Sequence, residues 1–353
     1  MKIAPWLGAV LALGLAVPAL PAGDSMCGRF LLNRTNRKLN GIVVDFTANH
    51  GKDRRFWSEA LQCQRDMYVY VPPGYDPAKQ YPLAIWLHGF REDEIGFLES
   101  VVPRIDELMS CGKLPRMIVA CPDGSIHGRR TFIVAGSFYV NSKAGRFQDM
   151  VVEDVWNLLH KNFSIRPEPQ AHVIMGASMG GGGAYNIALK HPDMFKVVAG
   201  VFPPVNLRWE DCHGNARANF DPCCWGWRED IRCHETVARF FGLPIKMWQL
   251  IAPIYGTGPE AIDMVAAENP IELLEKLDIK PGQLDMYIGY AGKDQFNIDA
   301  EVESFLYKAK ERGLQITVDY EPRGRHGPLT ALRLMPGITA FLKEYVGPYA
   351  PEE

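Results

Sequence analysis

The sequence predicts an α/β fold on a mostly parallel, doubly wound sheet, from three observations. Short apolar runs alternate with stretches whose apolar residues recur at helical spacing. Several of the runs are apolar almost throughout, as strands covered on both faces are. Polar residues able to do chemistry follow directly on the ends of these runs, where open parallel sheets collect reacting groups.

The elements follow in order. Gly41 to Thr47 reads as a first strand, after a polar, irregular stretch over 23–40. Arg65 to Val71 alternates and stops at the turn signal Pro72-Pro73-Gly74-Tyr75. Tyr81 to Leu87 is a nearly continuous apolar run ending at His88-Gly89-Phe90, and Arg116 to Gly124 repeats that pattern. Residues 146–163 carry helical spacing through Phe147, Met150, Val151, Val155, Leu158 and Leu159. The strand His172 to Met175 leads to Ser178, and Lys196 to Phe202 is a buried strand stopped by Pro203-Pro204. Leu284 to Tyr290 and Gln315 to Tyr320 are the last strands, with helices over about 299–312 and 331–345. His88, Ser178, Asp294 and His326 all fall just past predicted strands.

The stretch 204–270 breaks the alternation. It holds Cys212, Cys223, Cys224 and Cys233 with Trp209, Trp225, Trp227 and Trp248, and reads as a lid inserted into a single domain over 23–353. Eight cysteines are an even number, which in an exported chain favours disulfides. The adjacent Cys223 and Cys224 are expected to bond outward rather than to each other. A zinc site built from Cys212-His213, Cys223-Cys224 and Cys233-His234 is the weaker reading, because the spacing matches no standard zinc motif.

Export is expected from residues 1–22, where Lys2 precedes the apolar run Leu7 to Val17. That run is short for a bilayer span of about 20 residues, so a secreted or periplasmic protein without a stable membrane anchor is expected. The 353 residues carry 38 basic and 41 acidic side chains and a net charge of -3, with no block of like charge. Nothing in that balance suggests a nucleic-acid partner. Asn33-Arg34-Thr35 and Asn162-Phe163-Ser164 match the glycosylation pattern, which is too short to weigh.

The segment Gly176-Ala177-Ser178-Met179-Gly180 is a G-x-S-x-G elbow between strand and helix. In such an elbow the serine stands clear of the sheet on a strained backbone, above a helix N-terminus that offers N–H groups to a developing oxyanion. A serine hydroxyl needs a base, and the base needs a carboxylate. Of nine histidines, His326 is placed best, in Gly324-Arg325-His326-Gly327 after the final strand. Asp294, in Gly292-Lys293-Asp294, is the acid; Asp299 is placed to start the next helix. The order Ser178, Asp294, His326 is that of α/β-hydrolases. The backbone N–H of Met179 and that of Phe90 are the expected oxyanion donors, with His88 shaping their pocket.

With these residues in hand, the chain resembles the esterase-D and feruloyl-esterase group of α/β-hydrolases, which also includes mycolyltransferases and siderophore esterases. The matching segments are Tyr70 to Tyr75, Tyr81-Pro82 with Leu87-His88-Gly89, Ser137-Phe138-Tyr139, Gly176 to Gly181, Gly292-Lys293-Asp294 and Gly324-Arg325-His326. The resemblance implies the triad Ser178, Asp294 and His326, the oxyanion residues Phe90 and Met179, and Arg91 and Ser137 lining the cleft. It does not extend to 204–270 or 23–64. The tryptophans Trp225 and Trp227 either stack on a sugar or phenolic ring of the substrate or hold a small insertion together.

The function expected is a secreted serine carboxylic-ester hydrolase working through an acyl-enzyme, without cofactor or metal ion, on a small-molecule or polysaccharide-linked ester. Feruloyl or acetyl esters come first by the resemblance. An acyltransferase would use the same triad, with a sugar hydroxyl in place of water. A non-catalytic glycan-binding protein is disfavoured by the presence of all three triad residues.

Overall fold

The computed structural model describes residues 26–129, 136–240 and 243–352. The expected export signal over 1–22 lies outside the described residues. Eight strands form the central sheet: β1 Ile42–Phe46, β2 Met67–Val71, β3 Leu83–Leu87, β4 Ile118–Pro122, β5 His172–Ala177, β6 Val197–Val201, β7 Asp285–Ala291 and β8 Ile316–Glu321. Their order across the sheet is β1-β2-β4-β3-β5-β6-β7-β8. The pairs β1–β2 and β2–β4 are antiparallel, and every later pair is parallel.

Strand periodicity divides the core in two. Along β4, Ile118 and Ala120 face one side and Val119 and Cys121 the other, and all four are buried. The first side packs against α2 (Trp156–Asn162), α3 (Met179–Lys190), α4 (Pro270–Lys276) and α5 (Ile298–Glu311) through Leu159, Ile187, Leu273 and Phe305. The second packs against α1 (Val102–Ser110) and α6 (Pro328–Val346) through Val102, Met109, Phe341 and Leu342. Both faces of the sheet are therefore dry from β2 to β7, which is why most of those strands read as apolar runs, while the edge strands β1 and β8 stay partly exposed. The helical spacing over 146–163 is realised as Phe147–Asp149, a wider π turn over Met150–Val155, and α2. Among the described residues, no helix is long and apolar enough to cross a membrane.

Between β6 and α4 the chain makes a long excursion. Its neck is closed by the Ile271 N–H, which donates to the Val205 carbonyl at 3.0 Å. The Leu207 N–H donates to Asn269 Oδ1 at 3.0 Å, and Asn206 Nδ2 donates to Ser304 Oγ at 2.9 Å. Inside, Trp209–Glu210 pairs with Gly226–Trp227 and Thr236–Phe240 pairs with Leu243–Lys246, both antiparallel. Ion pairs tie its segments to one another. Arg228, almost fully buried, donates to both oxygens of Glu235 at 2.9 and 3.2 Å, while Arg232 reaches Glu210 at 2.7 Å.

Cys212 bonds to Cys224 across this excursion, so Cys224 does bond outward from its neighbour. That is one bridge among the described residues, fewer than the even cysteine count suggests. Cys63, Cys111, Cys121, Cys223 and Cys233 are free thiols. Cys121 shows why counting misleads, since it lies fully buried in a central strand as an ordinary small apolar side chain. The ring of His213 lies within 4.8 Å of the Cys212 and Cys224 sulfurs, but those sulfurs are already bonded to each other.

Candidate active site

Ser178 sits between β5 and α3 at φ 54° and ψ -124°, a backbone region that a residue with a side chain adopts only under strain. Two glycines permit it. A Cβ on Gly176 would lie 2.5 Å from the Leu87 carbonyl oxygen, and one on Gly180 would fall inside that same carbonyl. The elbow therefore presses directly onto the end of β3, with no room for a side chain. The Ser178 N–H is fixed by the Val201 carbonyl at 2.8 Å.

Two loops bring the other groups to it. His326 Nε2 lies 3.0 Å from Ser178 Oγ, and His326 Nδ1 lies 2.8 Å from Asp294 Oδ2. Asp294 is held in turn by the Phe296 N–H at 2.9 Å, and its side chain is almost fully buried. The carboxylate can only accept, so the proton sits on Nδ1 and Nε2 is left to receive the serine proton. Gln295 Oε1 accepts the His326 N–H at 2.9 Å, and the ring is flanked by Phe202 and Phe296 with centroids at 4.9 and 5.0 Å. Nearby, burial first and then the charge of Asp294 push the Asp299 carboxyl up.

Met179 opens α3, where the first N–H groups have no intrahelical acceptor. A Cβ on Gly136 would strike both the Met179 sulfur and the Phe90 ring, so the two expected oxyanion residues meet over one glycine. Arg91 follows on the same loop, exposed and at φ 68°.

His88 does not line the cleft. It is about 1% exposed, accepts the Gly124 N–H on Nε2 at 2.9 Å, and places Nδ1 3.0 Å from the Gly89 carbonyl. Ser137 is also buried and donates to the Gly124 carbonyl at 2.6 Å. Both side chains are turned inward and bond to the Gly124 backbone. Trp225 and Trp227 are displaced from the triad as well. Trp225 packs on Trp227 and Tyr307 and lies under Lys308, which is ten residues beyond the start of α5. At about 1.5 Å per residue that is about 15 Å along the helix from the Asp294 loop.

The support under the loop escapes sequence reading. The Tyr139 hydroxyl accepts the His88 N–H at 2.9 Å, and its ring lies against Gly124 and Gly183. Asp123, fully buried, pairs with Arg65 at 3.2 Å and lies 3.6 Å from His88 Nε2. The signal available was position: Asp123 follows β4 just as His88 follows β3.

An eight-stranded, mostly parallel sheet with a serine elbow after its fifth strand defines this protein as an α/β-hydrolase. Within that class the Esterase family model matches residues 58–324, and the chain belongs to that family. It is 30% identical over 177 residues to S-formylglutathione hydrolase of Arabidopsis thaliana, covering 45% of this chain and 60% of that protein. It is 28% identical over 156 residues to the endo-1,4-beta-xylanase/feruloyl esterase of Xylanibacter ruminicola, covering 42% of this chain and 21% of that one. The matches thus span at most about three fifths of these relatives. In fold it is similar to a ferulic acid esterase (TM-score 0.62, 17% identity, 87% of this chain and 99% of the other). It is also similar to an S-formylglutathione hydrolase from Agrobacterium tumefaciens (TM-score 0.60, 20% identity, 88% and 97%). The resemblance read from the motifs is therefore borne out at the level of family and fold.

Proposed function

We propose that the protein is a serine carboxylic-ester hydrolase working through an acyl-enzyme. The observation that carries this reading is the unbroken chain from Ser178 Oγ through His326 to Asp294, at 3.0 and 2.8 Å, set on a strained elbow at a helix N-terminus. Ser178 Oγ attacks the ester carbonyl carbon while His326 Nε2 takes its proton, and Asp294 stabilises the imidazolium that results. The carbonyl oxygen gains the negative charge and is held by the N–H groups of Met179 and Phe90. Collapse expels the alcohol, which takes the proton from His326. Water, deprotonated by the same ring, then releases the acid. The substrates proposed first are feruloyl or acetyl esters on polysaccharide, in keeping with the feruloyl esterases among the relatives. Export, read from residues 1–22, belongs to the same proposal.

Hydrolysis of p-nitrophenyl acetate and methyl ferulate tests it. Ser178→Ala should lower kcat by about 10⁴-fold or more on whichever ester is turned over. Unchanged turnover in that variant would remove Ser178 from the mechanism. Exclusive release of free acid at high concentration of an acceptor alcohol would separate hydrolysis from acyl transfer.

A further inference from the structure

A groove of about 600 Å³ opens where α4 and the last turns of α5 meet the excursion, and its walls include none of Ser178, Asp294 and His326. That volume lies within the range of roughly 300–1,000 Å³ that small-molecule sites span. Its one aromatic wall is Trp227, a residue that is 36% exposed.

That ring is held in place. The Arg208 guanidinium lies 5.5 Å from its centroid and Trp225 lies at 5.3 Å. Arg208 is itself fixed, donating to both oxygens of Glu272 at 3.1 and 3.0 Å and to the Arg228 carbonyl at 2.9 Å. A large apolar ring left partly open, and held by a neighbouring indole and an ion-paired guanidinium, is a preorganised platform. Around it stand Glu272, Glu275, Lys276, Lys308 and Arg312, carrying both signs of charge. A polyanion or a polycation would meet repulsion from part of that wall. A neutral polyol would find both donors and acceptors there, and the C–H face of a sugar ring matches the flat indole.

We propose that the groove beside Trp227 binds a neutral oligosaccharide at a site separate from the triad. Its link to catalysis rests on the polysaccharide-ester reading: a glycan held there, about 15 Å along α5 from the Asp294 loop, would present an ester several sugar units further on. Binding itself does not depend on that reading.

Calorimetric titration of Ser178→Ala protein with xylohexaose and cellohexaose tests the site without turnover. One of the two should bind, Trp227→Ala in the same background should weaken it about tenfold or more, and Trp227→Phe should restore most of it. Glu275→Ala, a change at an exposed groove position that leaves packing alone, should weaken it by a smaller factor. Absence of binding by either probe, or equal affinity in the Trp227→Ala protein, would overturn the proposal. Turnover of p-nitrophenyl acetate by the wild type, with no glycan present, reports on the ester reading separately, so the two can fail independently.

Discussion

The role proposed for Asp294 runs through one hydrogen bond. Its carboxylate accepts from His326 Nδ1 at 2.8 Å, which leaves Nε2 to face Ser178 Oγ. Asp294→Asn keeps the shape but offers an amide that favours the opposite tautomer, with the proton on Nε2. We expect kcat on the ester found active to fall by about 10⁴-fold with little change in thermal stability, measured by steady-state kinetics beside a melting curve. That Ser178, Asp294 and His326 come together was legible in the sequence because each follows a strand and the elbow has a fixed pattern. Their neighbours were not. His88 and Ser137 occupy sequence positions that suit the cleft, yet their side chains turn inward to the Gly124 backbone, and only the surrounding loops decide that direction.

At the scale of elements, the elbow depends on how closely α3 approaches β3. Gly180 lies on the Leu87 carbonyl, and a side chain there must push helix and strand apart. Gly180→Ala should destabilise the protein by about 3 kcal/mol or more in urea unfolding, with activity falling alongside because Met179 moves with the helix. The central strands were legible because both sheet faces are buried and apolar runs are their direct imprint. The excursion was legible only as a break in that pattern. Most of its elements, with strands of two to five residues and the short helices Met247–Leu250 and Ala252–Tyr255, are too short to show a period. Its ion pairs, Arg228 with Glu235 and Arg232 with Glu210, depend on tertiary contact.

Over the whole molecule, buried acid groups gather around Asp123, and their titration couples to folding. Burial, then the repulsion of Asp123, raises the Asp66 carboxyl to about 6 although the Ala48 N–H bond draws it down. Burial and the charges of Asp123, Asp93 and Asp66 push Glu94 up as well. A carboxyl whose folded pKa is raised costs nothing below its unfolded value and destabilises the fold as pH rises through the folded one. Asp66 should therefore remove up to about 3 kcal/mol between pH 4 and pH 7. Asp66→Asn, which keeps an acceptor for Ala48, should be more stable than wild type at pH 7.5 and no more stable at pH 4, measured by urea denaturation at both. The neck of the excursion has a different kind of consequence. Since Val205 and Ile271 are hydrogen-bonded neighbours, the chain enters α4 beside the point where it left β6, and everything between them closes as one loop on the scaffold. Lengthening such a loop costs only slowly growing closure entropy. The cassette that carries Trp227 is therefore open to exchange or enlargement while the strand order, and the three residues the strands deliver, stay as they are.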